Sequence, residues 1–211
     1  MNRNYLILAF LLFCSLSSAR TYAAGGDVPP EVIALTDRLK QKYAPDGRVA
    51  LFKTDYTFDG KRVMLRGETT SPSAKAELME ALSKEGYEVM DCLKVLPDEA
   101  ALEGKTYGII NLSVASLRVQ PDYSSEMMTQ ALLGMPVRLL ERDGWYRVQT
   151  PDDYIAWTHR VSVLPVTREE LTAWNRAKKL VITAHYGFVY SEPDLRSQTV
   201  SDIVAGDRLE V

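Results

Sequence analysis

The chain has 211 residues, 46% of them hydrophobic, with 25 basic and 28 acidic side chains and a formal charge of −3. The apolar content suffices for roughly one to three small cores, and the slight acidity argues against a nucleic-acid binder, which would carry a basic face.

The first 23 residues read as an export signal. Arg3 supplies the positive start, Tyr5 to Cys14 is apolar, and Thr21-Tyr22-Ala23 places small residues before a cut at Ala24. The segment is too short to span a bilayer, and no other stretch is long and apolar enough to do so. The mature chain is therefore expected to be exported, periplasmic or cell-envelope associated. Lipid attachment at Cys14 is the alternative, which bulky Phe13 disfavours. Loss of Cys14 leaves Cys92 as the single thiol, so stability must come from packing rather than disulfides.

Residues 28–97 alternate helix and strand signals. Val32, Leu35, Leu39 and Tyr43 form the stripe of an amphipathic helix, which Pro45-Asp46-Gly47 ends. Val49 to Tyr56 is β-rich, Asp59-Gly60 signals a hairpin, and Val63 and Leu65 alternate on the return strand. Ser71 caps a second helix begun by Pro72, with Leu78 and Leu82 inward and Gly86 at its stop. Tyr87 to Val95 alternates as a third strand. The order is α-β-β-α-β, a small sheet covered by two helices.

Pro97 to Lys105, acidic and alanine-rich, reads as a linker. Residues 105–165 show many short β-runs between turn signals at Pro121-Asp122, Asp143-Gly144 and Pro151-Asp152, the pattern of a small closed barrel. Residues 166–179 read as a helical linker, with Thr167 as N-cap, Glu169 and Glu170 in the first turn and Lys178 and Lys179 late. Residues 179–211 then repeat 107–139 at an offset of 72 positions, with 180–211 read as a truncated second barrel. Pro121-Asp122 maps onto Pro193-Asp194, Gly134 onto Gly206 and Ile110 onto Ile182. The second copy lacks the counterpart of the run through Trp145, Trp157 and Val163, so an incomplete second barrel is expected. The fold class is α+β followed by all-β.

The first segment resembles a BON-like domain, on Val63-x-Leu65-x-Gly67-Glu68, Pro72-x-Ala74-Lys75-Ala76 and Gly86-Tyr87-x-Val89-x-Asp91-x-Leu93-x-Val95. The repeated segments resemble bacterial SH3 domains. The first reads Gly108-Ile109-Ile110-Asn111-Leu112-Ser113-Val114, then Leu132-Leu133-Gly134-x-Pro136-Val137, Gly144-Trp145-Tyr146-x-Val148 and Tyr154-Ile155-Ala156-Trp157; the second reads Tyr190-Ser191-Glu192-Pro193-Asp194 and Val204-Ala205-Gly206-Asp207. This order resembles the region ahead of the catalytic domain in exported cell-wall peptidases of the NlpC/P60 family. The resemblance implies peptidoglycan stem peptides as ligand, γ-D-glutamyl-L-diamino acid endopeptidase chemistry in the full-length family, and a catalytic domain that this chain does not contain. It also implies a first SH3 domain that helps read the free amino end of the peptide. The alternative is a stand-alone envelope-binding or adaptor protein without enzyme activity.

No recognisable catalytic residues are found. Asp91-Cys92 echoes the family's Asp-Cys-Ser nucleophile, but Leu93-Lys94 follows and the cysteine falls in a strand, so a structural cysteine is the reading. His159 and His185 are far apart, and no ligand spacing suggests a metal or a cofactor. The candidate substrate contacts are Asp122 and Tyr123, in a loop where an aromatic ring lies beside carboxylates and hydroxyls; a solvated turn is the competing reading. Trp145 and Trp157 are expected in core or barrel-end packing, and Met127, Met128 and Met135 as core filler.

Overall fold

A computed structural model describes residues 27–211, and the expected export signal lies outside them. Among the described residues, no helix is long and apolar enough to cross a membrane. Contacts divide the chain into two units, one ending at Pro45 and resuming over Phe52–Lys94, the other made of Asp46–Leu51 and Val95–Val211.

The first unit runs α1 (Pro30–Tyr43), β1 (Phe52–Asp59), β2 (Arg62–Thr69), α2 (Pro72–Lys84) and β3 (Glu88–Val95), with the strands ordered β1-β2-β3 in one sheet. The helix stripe packs as its spacing requires: Val32 and Leu39 of α1 and Leu78 and Leu82 of α2 are fully buried with Val63 and Leu65. Ser71 Oγ accepts from the Ala74 amide at the start of α2. At its end Gly86 adopts φ +78°. The Gly86 amide donates to Ser83 and the Tyr87 amide to Leu82, the paired bonds by which a left-handed residue closes a helix. The hairpin forms with Asp59 opposite Arg62. Its two loop residues are therefore Gly60-Lys61, with Gly60 at φ +60°, rather than Asp-Gly.

The strand expected from Val49 begins three residues later, at Phe52. Residues 46–51 belong to the second unit instead. The Arg48 carbonyl accepts from Ile155, the Val49 carbonyl from Gln149 Nε2, and Leu51 packs with Leu96, Leu140 and Ile155. Residues 97–105 are likewise no free linker. The Asp98 amide donates to Leu140, and Leu102 is buried in the same core as Ile110, Leu139 and Tyr146.

That core is enclosed by seven antiparallel strands. They are β4 (Tyr107–Ile110), β5 (Val114–Arg118), β6 (Met127–Leu132), β7 (Pro136–Asp143), β8 (Trp145–Gln149), β9 (Ile155–His159) and β10 (Val163–Val166), ordered β10-β4-β7-β8-β9-β5-β6. Alternation puts Ala115 and Leu117, Ala131, Leu139 and Val148 inward, all fully buried. Met128 and Met135 pack against this cluster. Met127 does not: it is exposed at the start of β6.

Helix α3 (Arg168–Arg176) follows. Thr167 Oγ1 accepts from the Glu170 amide while the Glu170 carboxylate accepts from the Thr167 amide, a reciprocal cap. The late lysines fall beyond the helix, and Lys179 Nζ donates to the carbonyls of Trp174 and Ala177. Thr167→Ala is expected to cost about 1 kcal/mol of local helix stability. It should appear as faster amide exchange across residues 170–176 with β4–β10 unchanged.

The duplication reappears bond for bond. Strands β11 (Lys179–Val181), β12 (Tyr186–Tyr190), β13 (Thr199–Val204) and β14 (Arg208–Glu210) form two two-stranded sheets, β11 with β14 and β12 with β13. Val114 pairs with Leu132 and Leu117 with Thr129; 72 positions on, Tyr186 pairs with Val204 and Val189 with Ser201. The register shifts at Leu117/Arg118 and again at Val189/Tyr190. The Gly134 amide donates to Ile110 at 2.8 Å, and the Gly206 amide to Ile182 at 2.9 Å. The inward positions differ in burial. Leu139 is fully buried, whereas its counterpart Val211 is 78% exposed, because β8–β10 close the first repeat and have no second counterpart among the described residues.

Candidate functional site

The loop between β5 and β6 is held by its own polar groups. The Val119 amide donates to Glu126 at 3.0 Å, the Asp122 amide to Gln120 at 2.8 Å and the Ser125 amide to Asp122 at 3.2 Å. Arg118 Nη1 donates to the Ser125 carbonyl at 2.6 Å, and Ser125 Oγ accepts from the Gln120 amide. Asp122 Oδ1 accepts from both the amide and the hydroxyl of Ser124, at 2.7 and 2.8 Å. These bonds hold its carboxyl below the usual carboxylate range, the Ser124 amide first. No described hydrogen bond uses its Oδ2.

Tyr123 projects from the loop and is 68% exposed. It does not stand alone. Its ring lies 4.9 Å from Trp145 in an edge arrangement and 5.5 Å from His159, and Trp145 and His159 are 5.2 Å apart at 87°. Trp145 and His159 are directly paired residues of β8 and β9, so the sheet register fixes two of the three rings. His159 is further set by its Nδ1, which accepts from the Val161 amide at 3.4 Å.

The structure thus brings Tyr123 together with one aromatic expected in packing and one histidine assigned no role. Trp145 is half-buried at the strand end, whereas Trp157 is buried, with the Arg147 guanidinium 4.6 Å over its ring. Cys92 is half-buried on β3, and His185 is exposed near β12. Three clustered rings offer a cation an aromatic face, and the loop that supplies Tyr123 also carries the Asp122 carboxylate.

The second repeat has the same loop with the opposite chemistry. The Asp194 amide donates to Glu192, the Ser197 amide to Asp194 and the Glu192 amide to Ser197 Oγ, as in the first. Arg196 stands where the first repeat has Ser124. Its guanidinium binds both oxygens of Asp194, at 3.2 and 3.0 Å, and this ion pair lowers the carboxyl's pKa. Leu195, 82% exposed, replaces Tyr123. The duplicated carboxylate is neutralised by Arg196, and among the described residues the aromatic trio is a feature of the first loop.

Residues 117–160 match the family described as the bacterial dipeptidyl-peptidase Sh3 domain, and this segment is a bacterial SH3 domain. The chain is also similar to dipeptidyl-peptidase 6 of Lysinibacillus sphaericus, 29% identical over 104 residues, covering 48% of this chain and 38% of that protein. The chain therefore spans about two fifths of the length of this curated relative. Among solved structures, an NlpC/P60 family protein from Bacillus cereus is similar over 50% of this chain and 47% of its own, at TM-score 0.40 and 17% identity. An NlpC/P60 endopeptidase from Photobacterium damselae subsp. piscicida is similar over 100% of this chain and 47% of its own, at TM-score 0.43 and 12% identity.

Proposed function

We propose that this chain, with a bacterial SH3 domain of a peptidase-related family at residues 117–160, is the non-catalytic targeting and substrate-positioning region of an exported peptidoglycan-peptide hydrolase. The ligand is a cell-wall stem peptide, and the hydrolytic step belongs to an NlpC/P60-type catalytic domain of the whole protein. Asp122 and Tyr123 contact the peptide's free amino end, with Trp145 and His159 completing the aromatic wall.

The observation that carries this reading is the Tyr123–Trp145–His159 cluster, in which the β8–β9 register fixes two of the rings and the third follows Asp122 in the loop. An ammonium group placed on such rings gains about 0.5–2 kcal/mol from the ring quadrupoles, and a carboxylate supplies a charge-assisted hydrogen bond. A free α-amine presents that group, and an acylated one does not. The contrast with the second loop supports the reading, because Arg196 occupies the position an incoming cation would take on Asp194.

The test is calorimetric titration of the full chain with L-Ala-γ-D-Glu-diamino acid peptide and with its N-acetyl derivative. The free amine is expected to bind at least about tenfold more tightly, since loss of a contact of about 1.4 kcal/mol changes affinity tenfold. Equal affinity would contradict the assignment. The pH dependence follows from the sign at Asp122. Its folded pKa is depressed, so the loop bonds it makes are fully present above the unfolded carboxylate value near ~3.9 and are lost as pH falls through the lower folded value. The carboxylate contribution to binding should therefore persist as pH falls from 7 to about 4 and decline only below it.

A further inference from the structure

We infer that the two repeats are locked into one rigid tandem by a clamp in which Asp207 of the second repeat caps the turn between β6 and β7 of the first. Asp207 is a carboxylate with 0% exposure, in a repeat whose apolar positions are largely open. Charged side chains are rarely buried unless their oxygens are bonded. Here both are: Oδ2 accepts from the Val204 amide at 2.8 Å within its own repeat, and Oδ1 from the Leu133 amide of the first repeat at 3.2 Å. The adjoining backbone completes the pairing, since the Arg208 amide donates to the Leu133 carbonyl at 3.0 Å.

The position equivalent to Asp207 in the first repeat is Met135, which packs against the hydrophobic core. The carboxylate is thus particular to the copy that must reach its neighbour. Steric fit points to the same place. A Cβ on Gly134 would sit 2.5 Å from the Arg208 carbonyl oxygen and 3.0 Å from the Trp174 ring of α3, and one on Gly206 would sit 2.7 Å from Leu132 Cδ1. Both glycines have positive φ, +78° and +99°, so one residue type meets the turn and the close approach together. Equivalent turns of the two repeats meet here, with α3 over the seam.

The clamp lies at the end of the β5–β6 hairpin opposite the loop that carries Tyr123. Domains joined only by a linker move relative to each other by default; a clamp of backbone and buried carboxylate bonds fixes instead how the two Pro-Asp loops are presented. This holds whatever ligand the first loop takes.

The experiment uses the full chain with Cys14 and Cys92 changed to serine and nitroxide labels at Asp152→Cys and Gln198→Cys, one exposed site in each repeat. Pulsed dipolar spectroscopy should give a single narrow distance distribution. Asp207→Ala and, separately, Gly134→Val should each lose the narrow peak and give a broad distribution. Amide exchange accompanies it. The Arg208 amide, bonded across the seam to Leu133, should lose protection, while Gly206 and Ile182, bonded within their repeat, keep it. A broad distribution in the parent chain would overturn the inference, as would a narrow one in both variants. Joint loss of protection at Gly206 and Ile182 in Asp207→Ala would also overturn it, because Asp207 would then hold together only its own repeat.

Discussion

Gly67→Ala is expected to destabilise the first unit by about 2–4 kcal/mol, a large share of the ~5–15 kcal/mol that holds a small domain together. Gly67 faces Thr54 across the β1–β2 ladder at φ +126°, where L side chains are strained. An added Cβ would overlap the Lys53 carbonyl oxygen and come within 2.9 Å of its carbon and 3.1 Å of the Thr54 Cα. These are backbone atoms of a hydrogen-bonded strand, so no side-chain rotation relieves the clash. All three tryptophans, Trp145, Trp157 and Trp174, lie in the second unit. The loss should therefore show as a lower urea midpoint by amide exchange in β1–β3, while tryptophan fluorescence reports an unchanged transition. An unchanged midpoint in β1–β3 would mean that the strand pair is not as described.

Tyr123→Ala is expected to weaken binding of a free-amine stem peptide by about tenfold, and Trp145→Ala by a similar factor, from the ~0.5–2 kcal/mol carried by each aromatic contact with a cation. The double variant should fall short of the product, since the two rings touch at 4.9 Å and act on one group. Leu195→Ala, at the equivalent position of the second repeat, should leave affinity unchanged. Stability separates binding from folding: Tyr123 is exposed, so its loss should not move the unfolding midpoint, whereas Trp145 is half-buried and its loss should lower it modestly. Full affinity in Tyr123→Ala would remove this residue from the site.

Much of the local structure was legible because its causes are local. Ser71, Pro72 and Gly86 bracket α2 by capping chemistry alone, and Thr167 with Glu170 announces α3. The repeat was legible because a shared register forces a shared pattern, down to the bulge at Leu117/Arg118 and Val189/Tyr190. What failed to show was whatever depends on partners distant in sequence. Val49 has the composition of a strand residue, yet its carbonyl bonds Gln149, 100 positions away. Residues 97–105 have linker composition, but buried Leu102 and the Asp98 amide bonded to Leu140 tie them to the core. Burial of Asp207 was invisible for the same reason, as it needs Leu133 of the other repeat, 74 positions off.

The candidate site divides along that line. Asp122 and Tyr123 were visible as an aromatic–acidic loop. Trp145 and His159 join it only through the β8–β9 register, which follows from the turn at Thr150–Tyr154 rather than from either residue. A tryptophan in an apolar strand pattern reads as packing until the register places it at a strand end.

The most direct measurement is mapping of amide and indole chemical shifts of the 15N-labelled full chain during titration with free-amine L-Ala-γ-D-Glu-diamino acid peptide. Saturable shifts confined to residues 119–126, the Trp145 indole and His159, and absent with the N-acetylated peptide, are the result this account predicts. Shifts centred on residues 191–198, or identical shifts with both peptides, would contradict it.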